Sequence, residues 1–142
     1  MRLAVHAIAV VFLTLLTQIG GLAWIGTVLM GRRLPNRRLA ILGVFLSIYA
    51  GLSLAAAIVA PGFGRMALPC VATGQSQLAM QSLLYCALNR HYVSKPMLEV
   101  ANEFAADMNR QFPRTLTQAL DGSFPFLDGF PLLPHLSHND GN

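Results

Sequence analysis

GRRLPNRR, running from Gly31 to Arg38, gathers Arg32, Arg33, Arg37 and Arg38, four of the chain's ten Lys and Arg residues, into eight positions. Before it, the 29 residues between Arg2 and Arg32 contain no Asp, Glu, Lys or Arg, and after it Leu39 to Gly64 adds another 26. Roughly 20 residues at about 1.5 Å rise cross a ~30 Å hydrocarbon core, so each run is long enough to span. Cytoplasmic loops carry the excess of Arg and Lys, which makes the basic stretch a topology signal. The expected arrangement is a transmembrane hairpin over residues 1–60, with helices over about 3–30 and 39–60. Loop 31–38 is then cytoplasmic, and both termini lie outside in a multi-pass protein of the bacterial inner membrane.

Working outward, the composition agrees. In 142 residues, 54% are hydrophobic and only 11% charged, too apolar a balance for a soluble domain of this length. The pI of 9.7 raises nucleic acid as a partner. That class is set aside because the cations cluster in one loop instead of spreading over a folded face with aromatics between them. Two buried core helices would need the remaining residues to cover two all-apolar rods. A cleaved signal peptide over 1–30 fits Met1-Arg2, but the apolar run exceeds the usual ~7–15-residue core and no Ala-x-Ala site stands near its end. The partner of the first 60 residues is the lipid bilayer.

Within the second run, Gly43, Ser47, Gly51 and Ala55 recur every fourth position and share one helical face. Such a stripe lets two backbones approach closely in lipid, and its expected partner is the first helix through Ala23, Thr27 and Gly31; small residues are also common in membrane helices generally.

Residues 61–73, rich in proline and glycine, read as a linker. From Gly74, Met80, Leu84, Ala87, Leu88 and Tyr92 recur at helical spacing and predict one amphipathic helix. Ser94 followed by Pro96 predicts the start of a second, with Leu98, Ala101, Ala105, Met108 and Phe112 on its apolar face and a stop at Pro113. Glu99, Glu103 and Asp107 lie four apart, a solvated face in preference to an acid/base pair. Alternation in RTLTQALD, 114–121, predicts a short strand, Asp-Gly at 121–122 and 128–129 marks turns, and Phe124, Phe126 and Phe130 project from a proline-rich run that must pack on something. The fold class is mainly α: a membrane hairpin, two amphipathic outer helices, a short strand and a Pro/Gly-rich tail, the beginning of a truncated α+β domain over 74–142.

Cys70 and Cys86 are the only thiols. In an oxidising compartment they can pair, and closing a loop of about 15 residues contributes ~3 kcal/mol in the chain-entropy view. With Cys86 twelve residues into a continuous helix, however, residues 70–74 would have to double back about 18 Å along it. A bridge and two buried thiols both stay open at this point.

The chain closes on FPLLPHLSHNDGN, Phe130 to Asn142, with His135 and His138 three apart. Histidines near a terminus are ordinarily solvated side chains, and Pro131 and Pro134 weaken a shared helical metal site. The order PHLSHNDG resembles the beginning of the Ser-x-His-x-x-Gly-x-x-x-Asp type signature of bacterial zinc peptidases that cut murein cross-links. These comprise the D-alanyl-D-alanine peptidases and, nearer in pattern, the penicillin-insensitive murein endopeptidases, whose motif also places a histidine and a serine before the ligand histidine.

The resemblance implies that His138 is the first zinc ligand, with Gly141 at the tight turn, Ser137 beside the ligand, and His135 and Asp140 within the motif. A carboxylate seven residues after His138 would be the second ligand, three positions past Asn142, and a third histidine would follow. The implied chemistry is hydrolysis of peptidoglycan peptides by water on zinc, whose pKa falls to ~7. Catalytic zinc takes three protein ligands and an open position, so the chain as given holds no cofactor and no complete catalytic set. The reading is the amino-terminal part of a membrane-anchored, extracytoplasmic zinc peptidase-like protein. The alternative is a small non-enzymatic membrane protein whose outer helices and Phe-rich tail bind a partner.

Overall fold

The computed structural model describes residues 2–31, 37–73 and 77–127. The protein is mainly helical, and divides into two compact units, Met1–Ile58 and from Val59 onward.

In the first unit the apolar run before the basic loop is not one helix. It is two, α1 (Arg2–Thr17) and α2 (Gly20–Gly31), joined at Gln18 and Ile19, with Gln18 in the left-handed region at φ 64°. The Thr17 hydroxyl holds the joint by donating to the Leu13 carbonyl at 3.0 Å and accepting the Gly20 N–H at 2.8 Å. Beyond the turn, α2 folds back on α1, and glycine is what permits it. A Cβ on Gly20 would stand 2.9 Å from the Leu13 carbonyl oxygen, and one on Gly21 would run into the Thr14 hydroxyl and within 2.8 Å of the Val10 carbonyl oxygen. The tip is dry, with Thr17, Gln18, Ile19, Gly20 and Gly21 all buried. At about 1.5 Å per residue α1 is ~24 Å long and α2 ~18 Å, so neither alone crosses a ~30 Å core.

The third helix, α3 (Arg37–Val59), belongs to an apolar helical stretch, Arg38–Phe63, of 26 residues, and among the described residues it alone is long and apolar enough to cross a membrane. It meets the hairpin through large side chains. Trp24 stands edge-on to Phe45 at 6.1 Å and 6.0 Å from His6, while Ile48 lies where a Cβ on Gly26 would contact it at 3.2 Å. The small-residue stripe is turned the other way: Gly43, Ser47, Gly51 and Ala55 are all exposed, and a Cβ on Gly43 or Gly51 would meet nothing within 4 Å. The expected close approach is instead made inside the first run by Gly20 and Gly21, which leaves α3 to pack at side-chain distance. Ala23 and Thr27 are buried as expected of an interface, but the stripe is not what covers them.

The second unit opens with a 3₁₀ turn (Ala60–Phe63) closed by Gly64 at φ 73° and continues into strand β1 (Arg65–Ala67), so the expected linker is part of the fold. The amphipathic helix expected from Gly74 is replaced by strand β2 (Leu78–Met80), a short helix α4 (Leu83–Ala87) and strand β3 (Tyr92–Ser94). Ser82 starts α4 by accepting the Leu84 N–H at 3.2 Å, and Asn89 at φ 57° ends the turn after it. Helix α5 (Lys95–Gln111) begins where the sequence says: the Ser94 hydroxyl accepts the Met97 N–H, and Pro96 occupies the first turn, where its missing N–H costs nothing. Glu99, Glu103 and Asp107 are exposed, and Asp107 pairs with Arg110. Strand β4 (Thr117–Ala119) then pairs parallel to β2, Ala79 opposite Gln118, while β1 and β3 pair antiparallel, Met66 opposite Val93.

Leu68, Leu78, Met80, Val93 and Ala105 form the core, with Tyr85, Cys86, Leu98, Ala101 and Ala119 against it. The proline-rich run finds its packing here: Phe124 is fully buried and Phe126 stands edge-on to Phe63 at 5.3 Å. Gly122 is not in an open turn; a Cβ there would lie 3.1 Å from the Tyr92 carbonyl oxygen, a tight fit against β3.

The folded-back first run makes a direct prediction. His6 and Trp24, with ring centroids 6.0 Å apart, would be separated by about 27 Å in a continuous helix. The double variant His6→Cys/Trp24→Cys should therefore form an intrachain cross-link on mild oxidation of membranes, and adding Gly21→Val should suppress it. A double variant that never cross-links contradicts the hairpin.

Candidate functional site

Chemistry-bearing side chains converge on one corner of the second unit. Cys70 and Cys86 are joined as a disulfide with their Cα atoms 6.0 Å apart. The obstacle raised by a long helix disappears because α4 has five residues, and Cys86 sits within its single turn. Cys70 is carried in by the segment after β1, which is pinned on both sides: Leu68 N–H donates to the His91 carbonyl at 2.7 Å, and Met80 N–H donates to the Pro69 carbonyl at 2.8 Å.

His91 comes after the turn that closes α4 and is 9% exposed. One of its ring nitrogens and the two sulfurs all lie within 4.8 Å of one another, the one such convergence of three metal-capable groups among the described residues. Burial pushes the imidazole below its usual pKa, and a hydrogen bond with the Tyr85 backbone works weakly the other way. Nδ1 is buried with no hydrogen-bond partner. As a disulfide the sulfurs carry no thiolate charge, so the oxidised corner is a covalent staple with a neutral imidazole beside it.

Beside it, Arg90 is buried and forked onto Asp121, its Nε donating to one carboxylate oxygen at 3.1 Å and its Nη2 to the other. Its guanidinium also stands 6.0 Å from the Tyr85 ring. Bidentate pairing suits Arg, whose donors match a carboxylate in plane. The pair ties the turn leading into β3 to the segment after β4, so it fixes the backbone on which His91 rides.

Of the residues singled out from sequence, Cys70 and Cys86 belong to this corner. His135, Ser137, His138, Asp140 and Gly141 lie outside the described residues, as do Arg32 and Arg33; Arg37 is the first residue of α3 and Arg38 is exposed on it. Cys70 and Cys86 are brought together, and His91, Arg90 and Asp121, which sequence reasoning passed over, join them. The one available signal was His91 five residues after Cys86. No known protein family matches the chain, and no curated protein or solved structure matches it.

A buried neutral histidine links stability to pH. As pH falls below about 6.5 the unfolded chain binds a proton that the folded state resists, so stability should fall by up to ~1.4 kcal/mol per pH unit until folded His91 itself protonates. The thermal midpoint of the oxidised full chain in detergent should drop between about pH 7.5 and about pH 5.5, and His91→Gln should flatten the profile. A parent profile as flat as the variant's contradicts the assignment.

Proposed function

We propose that the chain is a membrane-anchored protein held by α3, with everything from Val59 on the extracytoplasmic side, and that it forms the amino-terminal part of a zinc-dependent murein peptidase-like protein. The observation that carries the location is the Cys70–Cys86 disulfide, placed just beyond the long apolar stretch Arg38–Phe63. Disulfides persist where the compartment is oxidising. Charge supports the same sidedness. Arg32, Arg33, Arg37 and Arg38 stand close before the crossing, whereas only Arg65 stands close after it. Such an excess belongs on the cytoplasmic side.

On this reading one crossing takes the place of two spans with both termini outside. With α1 and α2 folded back on each other, the hairpin enters and leaves the membrane from the side of the basic loop, and Arg2 joins the four loop arginines there. The buried tip at Thr17–Gly21 suits membrane depth, where turn backbone is tolerated only if covered by protein.

The peptidase assignment rests on PHLSHNDG, with His138 as the first zinc ligand and peptidoglycan peptides as the substrate class. A second reading, a non-enzymatic partner-binding protein, draws on the exposed Met97, Val100 and Phe104, spaced three and four apart on α5.

Zinc binding by a chain extended past Asn142, through the second and third ligands the resemblance implies, separates them. The extended parent should bind one zinc tightly and cleave muropeptides. His138→Ala should abolish both, because a zinc site worth ~10–16 kcal/mol does not survive loss of a ligand. His135→Ala should cost far less. An extended chain that binds no zinc, or one indifferent to His138→Ala, favours the partner-binding reading.

A further inference from the structure

The corner at Cys70, Cys86 and His91 holds more than a staple needs. A structural disulfide requires no third group, yet one ring nitrogen of His91 lies within 4.8 Å of both sulfurs. We propose that reduction of Cys70–Cys86 converts this corner into a binding site for a zinc-like divalent metal, with the two thiolates and the His91 imidazole as ligands and the fourth position open.

The step balances with a dithiol protein as reductant. Thiolate attack and resolution transfer two electrons and two protons to the sulfurs, the S–S bond breaks, and the donor becomes a disulfide. Metal binding then displaces the two thiol protons, leaving two thiolates, a neutral imidazole and a divalent cation, a set without net charge. Neutrality matters because the ligands are partly or largely buried, where an unbalanced charge is costly.

The geometry needs little change. Tetrahedral sites with Zn–S near 2.3 Å hold their sulfurs about 3.8 Å apart. The sulfurs must therefore move apart once the bond is broken, which rotation of two cysteine side chains on Cα atoms 6.0 Å apart can supply. Residues Val71–Thr73 after Cys70 are exposed and irregular, so that side can yield without disturbing the core. His91 is fixed by the packing around it, being 9% exposed. Its buried Nδ1, without a partner, gains one if it faces the metal. Burial already keeps the ring in the neutral form that binds. The fork of Arg90 onto Asp121 and the pinning of Leu68 and Pro69 hold the backbone at both sides whatever the state of the sulfurs.

The site uses none of the tail histidines and stands or falls independently of the peptidase reading. Its occupancy would follow the local redox poise, metal entering as the compartment turns reducing and leaving as the disulfide re-forms.

The test is a cobalt(II) titration of the detergent-solubilised full chain, oxidised and after reduction with a phosphine. The reduced chain should take up one cobalt with thiolate-to-metal charge-transfer absorption and the visible bands of a tetrahedral site, and zinc should displace it. The oxidised chain, with the same tail histidines, should give no such absorption. His91→Ala should weaken cobalt binding by about 100-fold or more, exceeding losses typical of second-shell changes. Cys86→Ser, which leaves one thiolate, should halve the charge-transfer intensity or abolish it. A reduced chain that takes up no cobalt overturns the proposal, as does a His91→Ala chain that binds as tightly as the reduced parent.

Discussion

A backbone that crosses hydrocarbon must satisfy every N–H and C=O within its own helix, and among the described residues one stretch can do so over the full thickness, Arg38–Phe63. On the proposed topology the rest of the chain is arranged around that crossing. The hairpin before it is too short to span, and its tip can sit at depth because Thr17 bonds both the carbonyl before it and the amide after it while its neighbours are buried. Arginines hold one end of the crossing, and a disulfide-bearing unit follows the other. The aromatic series His6, Trp24, Phe45 and Tyr49 joins the three helices, so α3 is anchored by side-chain packing where the small-residue stripe would have offered backbone contact.

The second unit meets a different constraint. Its strands are three residues each and its core is small, so burial alone contributes little. Cross-links make up the difference. The Cys70–Cys86 bridge spans 16 positions and removes conformations from the unfolded chain, an effect of about 3 kcal/mol in the entropic view. The Arg90–Asp121 pair joins residues 31 apart, with Arg90 buried and Asp121 partly exposed. Both ties meet at the corner that carries His91.

What the sequence disclosed follows the range of the forces involved. Helix α5 was legible from Ser94, Pro96 and Pro113, because caps and stops act over one turn; α3 was legible because apolar length needs no partner. The break at Gln18 was not, since a non-glycine residue in the left-handed region leaves no mark in composition and Gly20–Gly21 reads as two more small residues. Strands β2 and β3 were hidden by a false helical period: Met80 and Tyr92 are both buried, but Leu84 between them is exposed, so no common face exists. The parallel pairing of β2 with β4 and the fork from Arg90 to Asp121 depend on chain closure over tens of residues, which spacing does not encode. The thiol pair was visible, but whether it could close hung on the length of α4. The stretch around His138 that resembles a zinc-peptidase signature lies outside the described residues.

The central claim is a single crossing at α3 with the two ends of the chain on opposite faces. The measurement that tests it most directly is labelling with a membrane-impermeant maleimide in spheroplasts, the native cysteines being protected as their disulfide. Two variants are compared: one with a cysteine added ahead of Met1, the other Leu116→Cys at an exposed position of the second unit. The account predicts that Leu116→Cys is labelled in sealed spheroplasts and the amino-terminal cysteine only after lysis. Labelling of both before lysis would restore two crossings and contradict the folded-back hairpin as a membrane element; labelling of the amino-terminal cysteine alone would invert the protein and remove the basis for its extracytoplasmic role.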